Sequence, residues 1–168
     1  MTLAPESKAV QKIVPFLWFD DKAEEAARFY VSIFPNSKID GDVSRYGDEG
    51  LAEPGSVMVV PFELDGQNFL ALNGGPQYTF TPAISFFVRC ENQAEVDYYW
   101  EKLLEGGGEP VQCGWLRDRY GVSWQVVPSV LPELIGGPNE EGASRAMKAM
   151  LGMVKLDVGA LQRAYDGT

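Results

Sequence analysis

The chain has 168 residues, 45% hydrophobic and 23% charged, with 24 Asp plus Glu against 14 Lys plus Arg for a net charge of −10. A chain of this length buries roughly 70% of its unfolded surface without staples, and its charge repels phosphate backbones, which argues against nucleic acid as a partner. It contains no histidine, so the commonest metal ligand and neutral-pH proton shuttle is missing. No apolar run approaches the roughly 18 residues of a membrane span. Residues 1–10 show neither a basic start followed by an apolar stretch nor a small-residue cleavage site, so a cytoplasmic location is expected. Cys90 and Cys113 read as reduced, buried thiols.

In chain order, residues 13–19 are rich in β-formers and predict a strand that stops at Asp20-Asp21. Ala26, Phe29, Tyr30 and Ile33 then recur at helical spacing until Pro35 and Asn36. Three strand-like stretches follow at residues 38–46, 56–64 and 67–72, the last two joined by Asp65-Gly66, a type I′ hairpin signal. Residues 73–82 carry the Gly and Pro of a linker. Residues 84–90 predict another strand, and Val96, Tyr99, Trp100 and Leu103 another helix before Gly106-Gly107-Gly108. Strand-like stretches return at residues 109–112, 114–117 and 122–127. Beyond Pro128 a helical tail begins, with Ala143, Ala146, Met147, Met150 and Leu151 as an apolar stripe and Asp157 suited to cap a last helix. The tail reads as a lid or an interface.

The plan repeats at an offset of 71 residues. Asp21 and Asn92 are each suited to accept the orphan N–H groups of a first helical turn, and Glu24 and Glu95 stand three residues on. The expected organisation is a βαβββ module at 11–75, a second at 82–128 and the tail at 129–168, all one α+β domain.

Paired βαβββ modules resemble the vicinal oxygen chelate superfamily of glyoxalases and bleomycin-resistance proteins. The runs Phe16-Leu-Trp-Phe-Asp-Asp-Lys-Ala-Glu-Glu-Ala-Ala-Arg-Phe-Tyr30, Ile33-Phe-Pro-Asn-Ser37, Ala71-Leu-Asn-Gly-Gly75 and Gln112-Cys-Gly-Trp-Leu-Arg-Asp-Arg-Tyr-Gly-Val-Ser-Trp-Gln125 are similar to its PhnB-like group, often labelled 3-demethylubiquinone-9 3-methyltransferase. The resemblance implies that the two modules form a curled mixed sheet around a cavity. It also places the superfamily's metal-ligand positions near Lys12, Asn73, Ala83 and Gln125. Alanine offers no lone pair, lysine a positive charge, and two neutral amides bind a divalent ion weakly, so a metal-free site with no cofactor is expected. The methyltransferase label would need a Gly-rich turn from a strand into a helix for a Rossmann-like donor site, and none exists.

Trp18, Asn73, Cys113, Trp115, Ser123 and Gln125 are the expected ligand-binding residues; no catalytic residue is singled out. Aromatic walls with a few polar groups suit a small-molecule cavity, although Trp side chains fill cores equally well and Cys113 reads chiefly as a structural thiol. Asp118 before Gly121 fits an Asx turn as well as a substrate contact, and Glu63 and Asp65, flanking a hairpin, are expected to face water. The expected function is binding of a small organic molecule by a homodimer, with the acidic surface favouring a cation. The competing reading is a metal-independent enzyme, a transferase or lyase by family label. A third reading gives the Met-rich stripe to a protein partner.

Overall fold

The computed structural model describes residues 10–168, so the leader reading falls almost wholly outside the described residues. The chain divides into two compact units, one ending at Tyr78 and one running from Thr79 to Thr168. The first contains β1 (Phe16–Phe19), α1 (Ala23–Ile33), β2 (Lys38–Ile39), β3 (Ser44–Arg45), β4 (Val57–Leu64) and β5 (Gln67–Asn73). Its sheet runs β1-β5-β4-β2, with β3 also on β4; β1 and β5 are parallel and β4 and β5 antiparallel. Asp65 and Gly66 join the hairpin at φ 46° and 80°, the two left-handed positions of the expected type I′ turn.

Alternation decides which face of this sheet is covered. Leu17, Phe19, Val60, Phe62, Phe69 and Ala71 are buried, and their alternating neighbours Trp18, Val59, Leu70 and Leu72 only partly so. Helix α1 covers the buried face with Ala23, Ala26, Ala27, Tyr30 and Ile33. Its three alanines let the backbone come close, and Tyr30 and Phe69 flank Phe62 in stacked geometry, ring centres 6.3 and 5.3 Å away. Glu63 is buried, not water-facing as the hairpin reading expects.

The second unit repeats the scheme with β6 (Phe86–Cys90), α2 (Gln93–Leu104), β7 (Glu109–Pro110), β8 (Trp115–Arg117) and β9 (Ser123–Pro128). Its order is β6-β9-β8-β7, with β6 parallel to β9. Val96, Trp100 and Leu103 are the buried residues of α2, each contributing about 1.5–3 kcal/mol by leaving water. Phe86 packs on Trp124 with ring centres 5.2 Å apart. Three helices follow: α3 (Leu131–Ile135), α4 (Glu140–Leu151) and α5 (Val158–Asp166), the last capped by Asp157, whose side chain accepts from Ala160 N–H at 2.7 Å. Val127, Leu131, Leu134, Ala146, Leu156 and Leu161 form one buried cluster. The apolar stripe of the tail is thereby divided, with Ala146 inside this cluster and Met147 and Leu151 exposed.

The expected sheet architecture is overturned as well. Among the described residues there is no curled mixed sheet around a cavity: the α+β character holds, but the strands form two separate open sheets. The reason lies in strand length. β2, β3 and β7 are two residues each, too short to carry a ladder around a bend or to meet the opposite edge strand.

The repeat also breaks at its caps. Asn92 caps α2 as expected, accepting from Glu95 N–H at 3.0 Å, while Glu95 accepts from Glu91 N–H at 2.7 Å. At α1 the expected Asp21 does not cap; Lys22 holds the N-cap position and makes no side-chain bond there.

Candidate functional site

The missing cap on α1 comes from β5, the strand beside β1. Asn73, last residue of β5, accepts the N–H of Ala23 on its Oδ1 at 2.8 Å and donates from Nδ2 to Val57 O at 3.2 Å. The Tyr46 hydroxyl donates to the Asn73 backbone carbonyl. One amide therefore ties the start of α1, the start of β4 and the end of β5. Beside it, Trp18 donates from its indole N–H to Gly75 O at 2.9 Å and meets Tyr78 edge-on at 5.0 Å. A Cβ on Gly74 would lie 2.3 Å from the Trp18 ring, so the glycine is what lets this strand end lie against the indole.

Around Asn73 lies a cleft of about 530 Å³. Asp20, Asp21 and Glu24 enter it from the start of α1, Tyr46 and Val57 from the β3 and β4 side, and Asn73 from β5; among the described residues no lysine or arginine lines it. Glu24 also holds Arg28 at 2.8 Å. Carboxylates at a helix N-terminus are favourable in themselves, and here they also make one wall of the cleft acidic. Trp18 is not in the lining but supports it through Gly74 and Gly75, both of which are.

The other four expected residues belong to the second unit. Gln125 of β9 is in register with Phe87 on one side and Trp115 on the other. Registered partners share a face, so the three form one row. Trp115 and Gln125 are half-buried and Phe87 is 51% exposed. Gln125 donates from Nε2 to Ser85 Oγ at 2.9 Å. Ser123 lies on the same face of β9 and is buried.

Cys113 stands at φ 60°, next to Gly114 at φ 80°. The two fill the centre of a turn closed by Trp115 N–H on Gln112 O at 3.1 Å. Cys113 is half-buried; Cys90 is fully buried, and that burial, aided by the nearby Glu95 charge, pushes its thiol up to about 12.

Asp118 is only 3% exposed and its oxygens are spent on structure. Oδ1 accepts the N–H groups of Tyr120 and Val122 at 2.8 and 3.0 Å, and Oδ2 accepts the indole N–H of Trp124 at 2.9 Å. The Asx-turn reading is the one the geometry bears out.

The residues at the superfamily's ligand positions do not fit a metal. Lys12 and Ala83 are exposed and precede β1 and β6, the Asn73 amide is committed to Ala23 and Val57, and Gln125 is bonded to Ser85. Among the described residues, no group of three or more His, Cys, Asp and Glu comes together to hold an ion. The turns that open α1 and α2, Asp20-Asp21-Lys22 and Glu91-Asn92, contain no glycine, so neither offers the close backbone approach of a Gly-rich donor-binding loop.

A family profile described as 3-demethylubiquinone-9 3-methyltransferase matches residues 11–127. The PhnB protein of Bacillus cereus, which carries the same methyltransferase label, is 40% identical over 71% of this chain and all of its own, with a TM-score of 0.64. Protein PA1353 from Pseudomonas aeruginosa shares the fold at 21% identity, covering 71% of this chain and 98% of its own, with a TM-score of 0.57. A search of curated proteins returns no match. The chain belongs to the 3-demethylubiquinone-9 3-methyltransferase family, the PhnB-like group of the vicinal oxygen chelate fold. Nothing in the site singles out methyl transfer. Among the described residues no helix is long and apolar enough to cross a membrane.

Proposed function

We propose that this PhnB-like protein binds a small, neutral or cationic organic molecule in the cleft around Asn73. The observation that carries the reading is the cleft itself: about 530 Å³, with Asp20, Asp21 and Glu24 on one wall and no basic residue among the described residues that line it. That volume suits a small ligand, and the acidic wall disfavours an anionic one. Asn73 and Trp18 act as supports, holding the cleft's floor and the glycines of its rim. Trp115 and Gln125 are proposed ligand contacts on the Phe87–Gln125–Trp115 row of the second unit, where an amide between two aromatic rings offers stacking and a hydrogen bond, with Ser123 of the same face of β9 and Cys113 of the preceding turn as further proposed contacts. The protein acts as a homodimer in the cytoplasm, in keeping with its two open sheets and two free thiols.

Native mass spectrometry of protein purified from its own cell extract is the first test, followed by titration with matched aromatic amines and aromatic carboxylates. The reading expects the amine to bind and the carboxylate not to. It also expects Asp21→Asn with Glu24→Gln to weaken the amine severalfold. Tighter binding of the carboxylate, or indifference to the double substitution, would overturn it.

A further inference from the structure

The tail lies beyond the family match, which ends at residue 127, and 71% of this chain spans the whole of the Bacillus cereus relative. The second unit nevertheless holds one short, non-helical piece of that tail by contacts unlike helix packing. The piece joins α4 to α5. Its carbonyls at Met153 and Val154 accept the backbone N–H groups of Cys113 and Gly114, each at 2.8 Å. Further along, the side chain of Gln93, first residue of α2, brackets Asp157. Its Nε2 donates to Leu156 O at 3.1 Å and its Oε1 accepts Val158 N–H at 2.8 Å. An amide placed this way does what a neighbouring parallel strand does, taking the carbonyl of one residue and the N–H of the next but one.

Between these two backbone clamps Leu156 is completely buried, and the Lys155 ammonium meets Asp97 at 2.7 Å. Hydrogen bonds from Lys155 and then Gln93 hold the Asp97 carboxyl below its ordinary value. At Gly114 a Cβ would stand 2.8 Å from Val126 O and 3.0 Å from the Leu156 side chain, so only glycine leaves room for the leucine.

From this geometry we infer that the surface between the β7–β8 turn and the first turn of α2 is a recognition groove for an extended peptide, occupied in cis by residues 153–158. Main-chain bonds at both ends give such a groove its affinity, and its sockets give it sequence preference. Here Asp97 asks for a basic residue, and the next position asks for a leucine-sized one that passes Gly114 into the cluster of Val127, Leu131, Leu134, Ala146 and Leu161. The inference goes beyond the ligand reading and does not depend on the cleft of the first unit.

Amide hydrogen exchange on the full-length protein tests it. Leu156→Ala should speed exchange at Cys113, Gly114 and Val158 together by roughly thirtyfold or more, the factor implied by losing a buried leucine side chain. Amides of α1 and β5 should keep their rates. An excess of a synthetic peptide of residues 152–159 should then restore protection at Cys113 and Gly114, and a scrambled peptide should not. Gln93→Ala, which removes both side-chain clamps without touching the apolar cluster, should give a severalfold rise and the same rescue, and it serves where Leu156→Ala does not fold. Unchanged exchange at these amides, or no rescue by the peptide, would overturn the groove.

Discussion

Asn73 shows how one side chain can belong to a candidate site and to the scaffold at once. Family resemblance puts it at a ligand position, yet its amide is engaged with Ala23 and Val57. Asn73→Ala should therefore lower stability by about 1–2 kcal/mol, the usual loss on removing a helix cap, measured by urea denaturation. A residue that only touched ligand would leave the midpoint unmoved. The two thiols should separate as sharply. Iodoacetamide should modify Cys113 in the folded protein and Cys90 only after unfolding, as peptide mass spectrometry would read. The Cys90 thiol stays protonated in the fold up to about 12 against an ordinary 9.0. Below pH 9 both states hold the thiol. Between 9 and 12 only the unfolded state ionises, so this group's contribution is complete below pH 9 and is lost as pH rises through that window.

At the scale of elements, sequence periodicity carried much of the fold. Strand, helix and hairpin positions, the Asp65-Gly66 turn and the Asn92 cap rest on contacts within a few residues, and those leave a local pattern. What depended on distant residues was not legible. Nothing near Lys22 says that its helix is capped from β5, and nothing in the alternation of residues 38–46 says that only two short pairs form on β4. Whether a sheet curls is likewise a matter of edge pairing, which alternation does not encode. The candidate site divides the same way: Asp118 announced itself through the Gly121 turn, whereas the cleft's wall of Asp20, Asp21 and Glu24 emerges only when α1 and β5 meet. Asp118→Ala should cost about 3 kcal/mol or more, because it strips acceptors from two backbone N–H groups and a buried indole. Thermal melting followed by tryptophan fluorescence would detect both the loss and the change at Trp124. Asp118→Asn, which keeps one acceptor oxygen, should fall between.

At the scale of the whole molecule, the net charge of −10 predicts self-repulsion that salt relieves, so the melting temperature should rise between low and moderate ionic strength. The proposed homodimer should appear in light scattering at twice the chain mass of 18.5 kDa; a monomer across micromolar concentrations would remove it.

The unequal caps also bear on the order in which the chain organises itself. Helix α2 carries Asn92 and Glu95 in its own first turn, so a short peptide spanning it holds everything needed to start the helix. Helix α1 waits for a residue fifty positions downstream, and nucleation without a cap is costly. The two halves share a topology but not a schedule: α2 can begin as a local event during synthesis, while α1 completes only once β5 has docked beside β1. Circular dichroism of the two isolated helix peptides would show that difference as helicity in the second and little in the first.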